Sequence, residues 1–392
     1  HKLKMRSILG LLTSVDFLPS ALRASFRDVQ GLPKEDPGIE RAVEGAVQWL
    51  CRAQDQSKSN DGGVAHSYHL TSGWNTSYPE TTGYIVPTIL AYAHLTGSEE
   101  LRERAKRMLD WLLSIQLSEG AFQGGMIDSR PVVSVTFNTG QILLGLAAGV
   151  TEFGEQYLIP MRRAANWLVT TQDNDGCWRK HPTPFAEPGE KAYETHVAWG
   201  LFAAERVESG RGYADAAMAN LRWALALQRA NGWFERCCLT DPSAPLTHTL
   251  GYALKGVLEG YRYSKERFLL EASCRTADGL LAAMDEDGFI PGRLNSNWTG
   301  AVSWACLTGT AQIAHCWLML YEDTGQRQYR EAAYVANRYV RRTLMVDGPL
   351  DTRWGVQGSF PIGGGYMSYG YPNWACKFFI DSQLLEMVVR QS

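Results

Sequence analysis

The chain has 392 residues, with 41 Asp plus Glu against 38 Lys plus Arg and a formal net charge of −3. Apolar residues make up 45% and charged residues 20%, a globular composition that excludes a largely disordered chain. The near-neutral charge removes the basic footprint of nucleic-acid binding, and no stretch approaches the roughly 18 consecutive apolar residues of a membrane span.

Taken in chain order, His1-Lys2-Leu3 ahead of Met5 reads as an expression remnant. The apolar run Ser7–Leu18 is broken by Asp16 and lacks a good cleavage site. It is expected to be a short amphipathic helix that docks on the body and offers a weak contact to a membrane surface or a partner. Residues 1–35 are therefore expected as an appendage to one domain spanning 36–392. Asn75-Thr-Ser and Asn297-Trp-Thr are glycosylation sequons only in a secreted chain. The eight Cys contain no CxxC and read as reduced, buried thiols, which points to a cytoplasmic protein.

From Trp49 onward one register organises the sequence. Trp49, Trp111, Trp167 and Trp223 are each followed five residues later by Gln54, Gln116, Gln172 and Gln228. A glycine turn follows each Gln: Asp61-Gly62-Gly63, Gly120-Ala121-Phe122, Asp175-Gly176-Cys177-Trp178 and Asn231-Gly232-Trp233. Gly279–Met284 with Asp287-Gly288-Phe289, and Tyr339–Leu344 with Asp347-Gly348, are degenerate fifth and sixth copies. The spacings are 62, 56, 56, 56 and 60 residues. Each copy holds two helical patterns. The first is charged and amphipathic, as in Leu101–Gln116, with apolar residues at i, i+3, i+4 and i+7. The second is almost uncharged, as in Gly140–Val150, and reads as buried all round. Six such pairs predict an inner ring of helices inside an outer ring: an all-α (α/α)6 barrel, with short β segments expected near Gly355–Tyr369. The repeated Trp and Gln are then packing and turn-fixing residues.

The Trp–x4–Gln–x3–Gly–x–Trp pattern, as in Trp167, Gln172, Gly176 and Trp178, resembles the QW repeat of the α/α-toroid superfamily of terpene cyclases and protein prenyltransferases. The likeness covers about residues 40–350 as a fold signature. The strings Ser77–Tyr84, Cys306–Gln312 and Tyr371–Lys377 resemble toroids associated with bacterial polysaccharide clusters. Within the superfamily this implies polysaccharide-processing toroids (glucuronyl C5-epimerase, polysaccharide lyase or glycoside hydrolase) rather than terpene cyclases. The acidic DxDD run that squalene-type cyclisation needs is missing. The residue types Asp175, Cys177 and His248 match a prenyltransferase zinc set, but Asp-Gly is ordinary turn chemistry. No metal or cofactor is expected.

Aligned on their first turns, the uncharged helices carry Tyr84, Gln141, His196, Tyr252, Gln312 and Lys377 at one equivalent position. One turn earlier stand Glu80, Phe137, Ala192, His248, Thr308 and Asn373, with Tyr78, Asn138, Tyr193, Glu194, Trp298 and Trp374 close by. Helix N-termini converge there, and their unpaired N–H groups favour an anionic ligand. Loops leading into the same rim add Arg130, Arg293 and Arg353, and the stacking surfaces Trp74, Trp233, Trp298 and Trp354. An aromatic content of 11%, with 13 Trp and 17 Tyr, suits a sugar cleft. A cationic, Trp-lined bowl points to an acidic oligo- or polysaccharide as partner.

Glu80, Tyr84, Glu194, His196, His248, Tyr252 and Lys377 are the candidate catalytic residues. Trp74, Tyr78, Arg130, Asn138, Gln141, Arg293, Trp298, Gln312, Arg353 and Asn373 are the candidate substrate-binding residues. The favoured chemistry is metal-independent abstraction of the C5 proton of a uronate, as in an epimerase or lyase. Tyr84 or Tyr252 with His196 or His248 would trade the proton, and Lys377 or an arginine would neutralise the carboxylate. The alternatives are a glycoside hydrolase using Glu80 and Glu194, with Asp381 in reserve, and an isoprenoid-handling or non-catalytic glycan-binding toroid.

Overall fold

A computed structural model describes residues 19–392, so the expected helix over Ser7–Leu18 lies outside the described residues. A first helix, α1 (Pro19–Val29), precedes the repeats. The outer ring is α2 (Ile39–Asp55), α4 (Glu99–Ile115), α6 (Leu158–Thr171), α8 (Tyr213–Leu225), α10 (Arg267–Ala283) and α12 (Arg327–Thr343). The inner ring is α3 (Pro79–Thr96), α5 (Thr136–Phe153), α7 (Thr195–Val207), α9 (Thr247–Ser264), α11 (Leu307–Thr324) and α13 (Asn373–Gln391). Successive inner helices pack side by side, and α13 returns to α3 to close the ring. The protein is an (α/α)6 toroid.

The repeat residues show why this pattern folds so. In each of the first four copies the Gln side chain staples its own glycine turn or the following outer helix. Gln172 Nε2 donates to the Gly176 carbonyl at 3.0 Å and to the Ala216 carbonyl of the next outer helix at 2.8 Å. Gln54 and Gln116 make the matching pairs of bonds. Gly176 has φ +97°, and a Cβ there would meet the Ala219 carbonyl at 2.3 Å, so both conformation and close approach require glycine. The fifth copy lacks its Trp. A Cβ on Gly279 would meet the Trp298 ring at 2.1 Å, so the indole of Trp298 fills the vacant place.

The two ends of the ring differ. Inner helices pass to outer ones through short turns such as Gly97–Ser98, where Gly97 is left-handed and Ser98 Oγ caps α4 by accepting from Leu101 N. Outer helices return to the next inner helix through long segments, such as residues 116–135 and 344–372. All long loops therefore gather at the inner-helix N-termini, and they carry the few strands. Strand β1 (Ser67–His69) pairs antiparallel with β2 (Gly73–Trp74) and with β5 (Gly370–Pro372). Strand β3 (Ala305–Cys306) pairs with β4 (Ser359–Phe360), so β4 falls inside the expected β region and β5 directly after it, while β1, β2 and β3 lie in other mouth loops. The β1–β5 pairing ties the first mouth loop to the last. Helix α1 packs on the same end, where buried Asp28 accepts from Gln357 Nε2 and Ile362 N. Among the described residues no helix is long and apolar enough to cross a membrane.

Candidate active site

A cavity of about 390 Å³ opens at the inner-helix N-termini. Glu80 in the first turn of α3, Asn138 in that of α5, and His248 and Tyr252 on α9 line it. The mouth loops add His66, Tyr78 and Tyr366, and Trp374 at the start of α13 closes one side. Tyr366 accepts a bond from Trp374 Nε1 at 2.8 Å. Among the described residues no Lys or Arg lines this cavity.

The aligned sequence positions converge on the barrel axis, but in two layers. Glu80, Tyr78, Asn138, His248 and Tyr252 face the cavity. Tyr84, Gln141, His196, Gln312 and Lys377 sit one turn deeper, beneath the residues that line the cavity. Tyr84 is fully buried, with its hydroxyl 2.9 Å from that of Tyr252. His196 lies against the Tyr252 ring, hydrogen-bonds Gln141 through Nδ1, and leaves Nε2 without a protein partner. Gln312 Oε1 lies 2.9 Å from His248 Nδ1. An amide oxygen only accepts, so Nδ1 carries the proton and Nε2 keeps its lone pair. Asn373 Nδ2 donates to the Ala65 carbonyl at 3.0 Å and its N–H to the His66 carbonyl at 3.1 Å, which holds His66 in place.

Burial divides the charges of this site. It raises Glu80 to about 7, against which the hydrogen bond from Tyr78 works only in part. It lowers His248 to about 4, opposed by the bond to Gln312. His66 is also pushed down to about 4 by burial. At neutral pH the cavity therefore holds a carboxyl that is readily protonated beside neutral imidazoles.

Several sequence-based expectations need correction. Lys377 is 2% exposed and does not reach the cavity: Nζ pairs with Asp381, one turn on, and donates to Thr88 Oγ1 at 2.8 Å. A buried ammonium needs such a partner, and the α13 backbone supplies it at i+4. Trp74 packs at a tilt against Trp49 and Tyr68 and donates to Asp351. Arg293 is engaged by the Ala244 carbonyl and Thr240. Arg130 is exposed and bonds the carbonyls of Ile127 and Ser129. Arg353 bonds the Gly348 carbonyl and, with Trp354, faces a separate groove beside α2. Trp298 fills the fifth repeat and donates to the Asn231 carbonyl. Trp233 donates to the Leu294 carbonyl and is covered by Arg229. Asp175 is salt-bridged to Arg179, and among the described residues no group of three or more His, Cys, Asp or Glu is disposed to hold a metal. Glu194 lies in a neighbouring cavity, separated from the first by Phe137, Thr183 and Tyr193. Glu80 and Glu194 therefore do not share one cavity. His66 and Tyr366 carry no periodic signal, because both lie in irregular loops between the repeat helices.

The profile of the squalene-hopene cyclase C-terminal domain matches residues 81–258. None of the curated proteins matches the chain in sequence. Among solved structures, an unsaturated glucuronyl hydrolase specific for heparin is similar with a TM-score of 0.73 at 16% identity, covering 90% of this chain and 98% of that one. The unsaturated glucuronyl hydrolase of Bacillus sp. GL1, responsible for the degradation of glycosaminoglycan, is similar with a TM-score of 0.69 at 17% identity, covering 88% and 96%. A D-mannose isomerase is similar with a TM-score of 0.70 at 12% identity, covering 90% and 97%. These likenesses establish the toroid fold.

Proposed function

We propose that this toroid is a carbohydrate-active enzyme that removes the C5 proton of a uronate at the end of an acidic oligosaccharide. The observation that carries this reading is one cavity lined by two groups of opposite readiness: His248, neutral with Nε2 free, and Glu80, a carboxyl near 7. His248 Nε2 takes the C5 proton. The C–H electron pair moves into the substrate carboxylate, which becomes an enediolate. A bare carboxylate resists that second negative charge, and protonated Glu80 answers it by donating a hydrogen bond to the developing oxyanion. Glu80 thereby takes the role first expected of Lys377. Return of a proton to the opposite face of C5 gives the epimer. Expulsion of the C4 oxygen, with a proton supplied to the leaving group, gives a C4–C5 double bond. Tyr252 and Tyr366 line the cavity as hydroxyls for that second transfer. A cavity of about 390 Å³ suits a terminal sugar rather than the middle of a polymer. The names of the similar hydrolases support glucuronyl chemistry, and that of the isomerase supports proton transfer on a sugar.

The test is incubation with uronate disaccharides in deuterated water with EDTA present. Deuterium at C5 marks epimerisation, and ultraviolet absorbance from a new double bond marks elimination. His248→Asn should abolish either signal and Glu80→Gln should lower it by ~10²–10³. New reducing ends with neither signal would overturn the reading in favour of hydrolysis.

A further inference from the structure

The third repeat departs from its siblings at one position. Two residues before the aligned position, the repeats hold Thr82, Thr139, Glu194, Leu250, Thr310 and Ala375. Thr82 and Thr139 close local turns, their hydroxyls accepting from Val64 N and Phe122 N at 3.1 and 3.0 Å and donating to the carbonyls of Tyr78 and Val135. Glu194 performs no such service. It is 7% exposed, and its Oε2 has no partner in the protein. A buried carboxyl without a partner is costly to keep for structure alone.

Glu194 lines a second cavity of about 380 Å³, and that cavity shares Phe137, Thr183 and Tyr193 with the first. Phe137 and Tyr193 meet edge to face at 5.3 Å and present aromatic surface to both sides. We propose that this second cavity is a subsite for the sugar ring next to the reacting uronate, with Glu194 hydrogen-bonding its hydroxyls. The inference rests on the reading that Glu80 and His248 act on a terminal sugar. Both arginines that line the cavity are already paired with a carboxylate, which favours an uncharged ring. Arg179 and Arg236 are both occupied by Glu190, and Lys191 Nζ donates to the Cys238 carbonyl at 3.1 Å. Burial also raises Glu194 to about 8, so at neutral pH it both donates and accepts, as a sugar hydroxyl requires.

The test compares binding of methyl β-glucuronoside with that of cellobiouronic acid, which adds one glucose to the same uronate. Isothermal titration in a His248→Asn background keeps both probes intact. The disaccharide is expected to bind at least about tenfold tighter than the methyl glycoside. Glu194→Leu should reduce that gain to under about threefold. Ala186→Trp, which fills the second cavity from its exposed loop, should do the same without touching the carboxyl. Circular dichroism confirms the fold of each variant. Equal affinity for the two probes, or an undiminished gain in both variants, would overturn the subsite while leaving the catalytic reading intact. Failure of the parent protein to bind either probe would remove the uronate reading and the subsite together.

Discussion

Glu80 is ionised in part at pH 7 because burial lifts it from 4.5 to about 7. The unfolded chain loses that proton earlier, so stability falls as pH rises from about 4.5 to about 7 and stays reduced above. Glu80→Gln should therefore stabilise the fold by about 3 kcal/mol near pH 8 and change little near pH 4.5, read from denaturant midpoints. His248 behaves in the opposite sense. Its folded value is lowered from 6.5 to about 4, so its contribution is lost as pH falls through that window. Catalysis needs His248 neutral and Glu80 protonated. A bell-shaped kcat/KM with limbs near 4 and 7 is expected, and Glu80→Gln should remove the upper limb. A profile flat across that range would break the pairing of roles. Lys377 offers a contrasting case. Lys377→Met leaves Asp381 without its counter-ion, held only by the Thr88 hydroxyl, and should cost up to about 3 kcal/mol, discounted because Asp381 is partly exposed. If Lys377→Met with Asp381→Leu regains most of that stability in thermal melts, the pair is structural.

At the scale of elements, the glycine turns carry much of the specificity. Gly176 and Gly212 both have positive φ, +97° and +84°, but only Gly176 has carbonyl oxygen where a Cβ would stand. Gly212→Ala should cost about 1 kcal/mol of backbone strain, and Gly176→Ala about 2–4 kcal/mol in denaturant unfolding. Equal costs would show that close approach to α8 does not matter. The helices themselves were readable because each pattern is local. Leu101–Gln116 became α4 (Glu99–Ile115), and Gly140–Val150 lies within α5 (Thr136–Phe153). The uncharged stretch is uncharged because other helices cover it on every side. Register was harder. One helical turn separates Glu80, which faces the cavity, from Tyr84, which lies beneath it, whereas on α9 both His248 and Tyr252 face the cavity.

Closure of the ring governs the whole molecule. Helix α13 packs against α3 and α2, and β1 pairs with β5, so the first and last repeats hold each other. An open array would unfold repeat by repeat, whereas a closed one exposes core on both sides of any break. Tryptophan fluorescence and far-ultraviolet circular dichroism should therefore report one coincident unfolding transition. Separate midpoints would mean that the hairpins are independent. Closure also gathers every long loop at one end, which is why residues as distant in sequence as His66, His248 and Tyr366 line one cavity.

The architecture was legible in the repeat pattern, because the Trp, Gln and Gly of each repeat act on neighbours within one hairpin and the next. It also brought Glu80, His248 and Tyr252 to the axis, since equivalent positions in a ring must converge. Which of the convergent groups is free to act depends on long-range packing. Lys377 met Asp381 and Thr88, Gln312 set the proton on His248, and the loop carrying Thr183 divided Glu194 from Glu80. Those outcomes depend on partners brought together from different loops and helices, and on burial, which moves a proton only once the surrounding chain has excluded water.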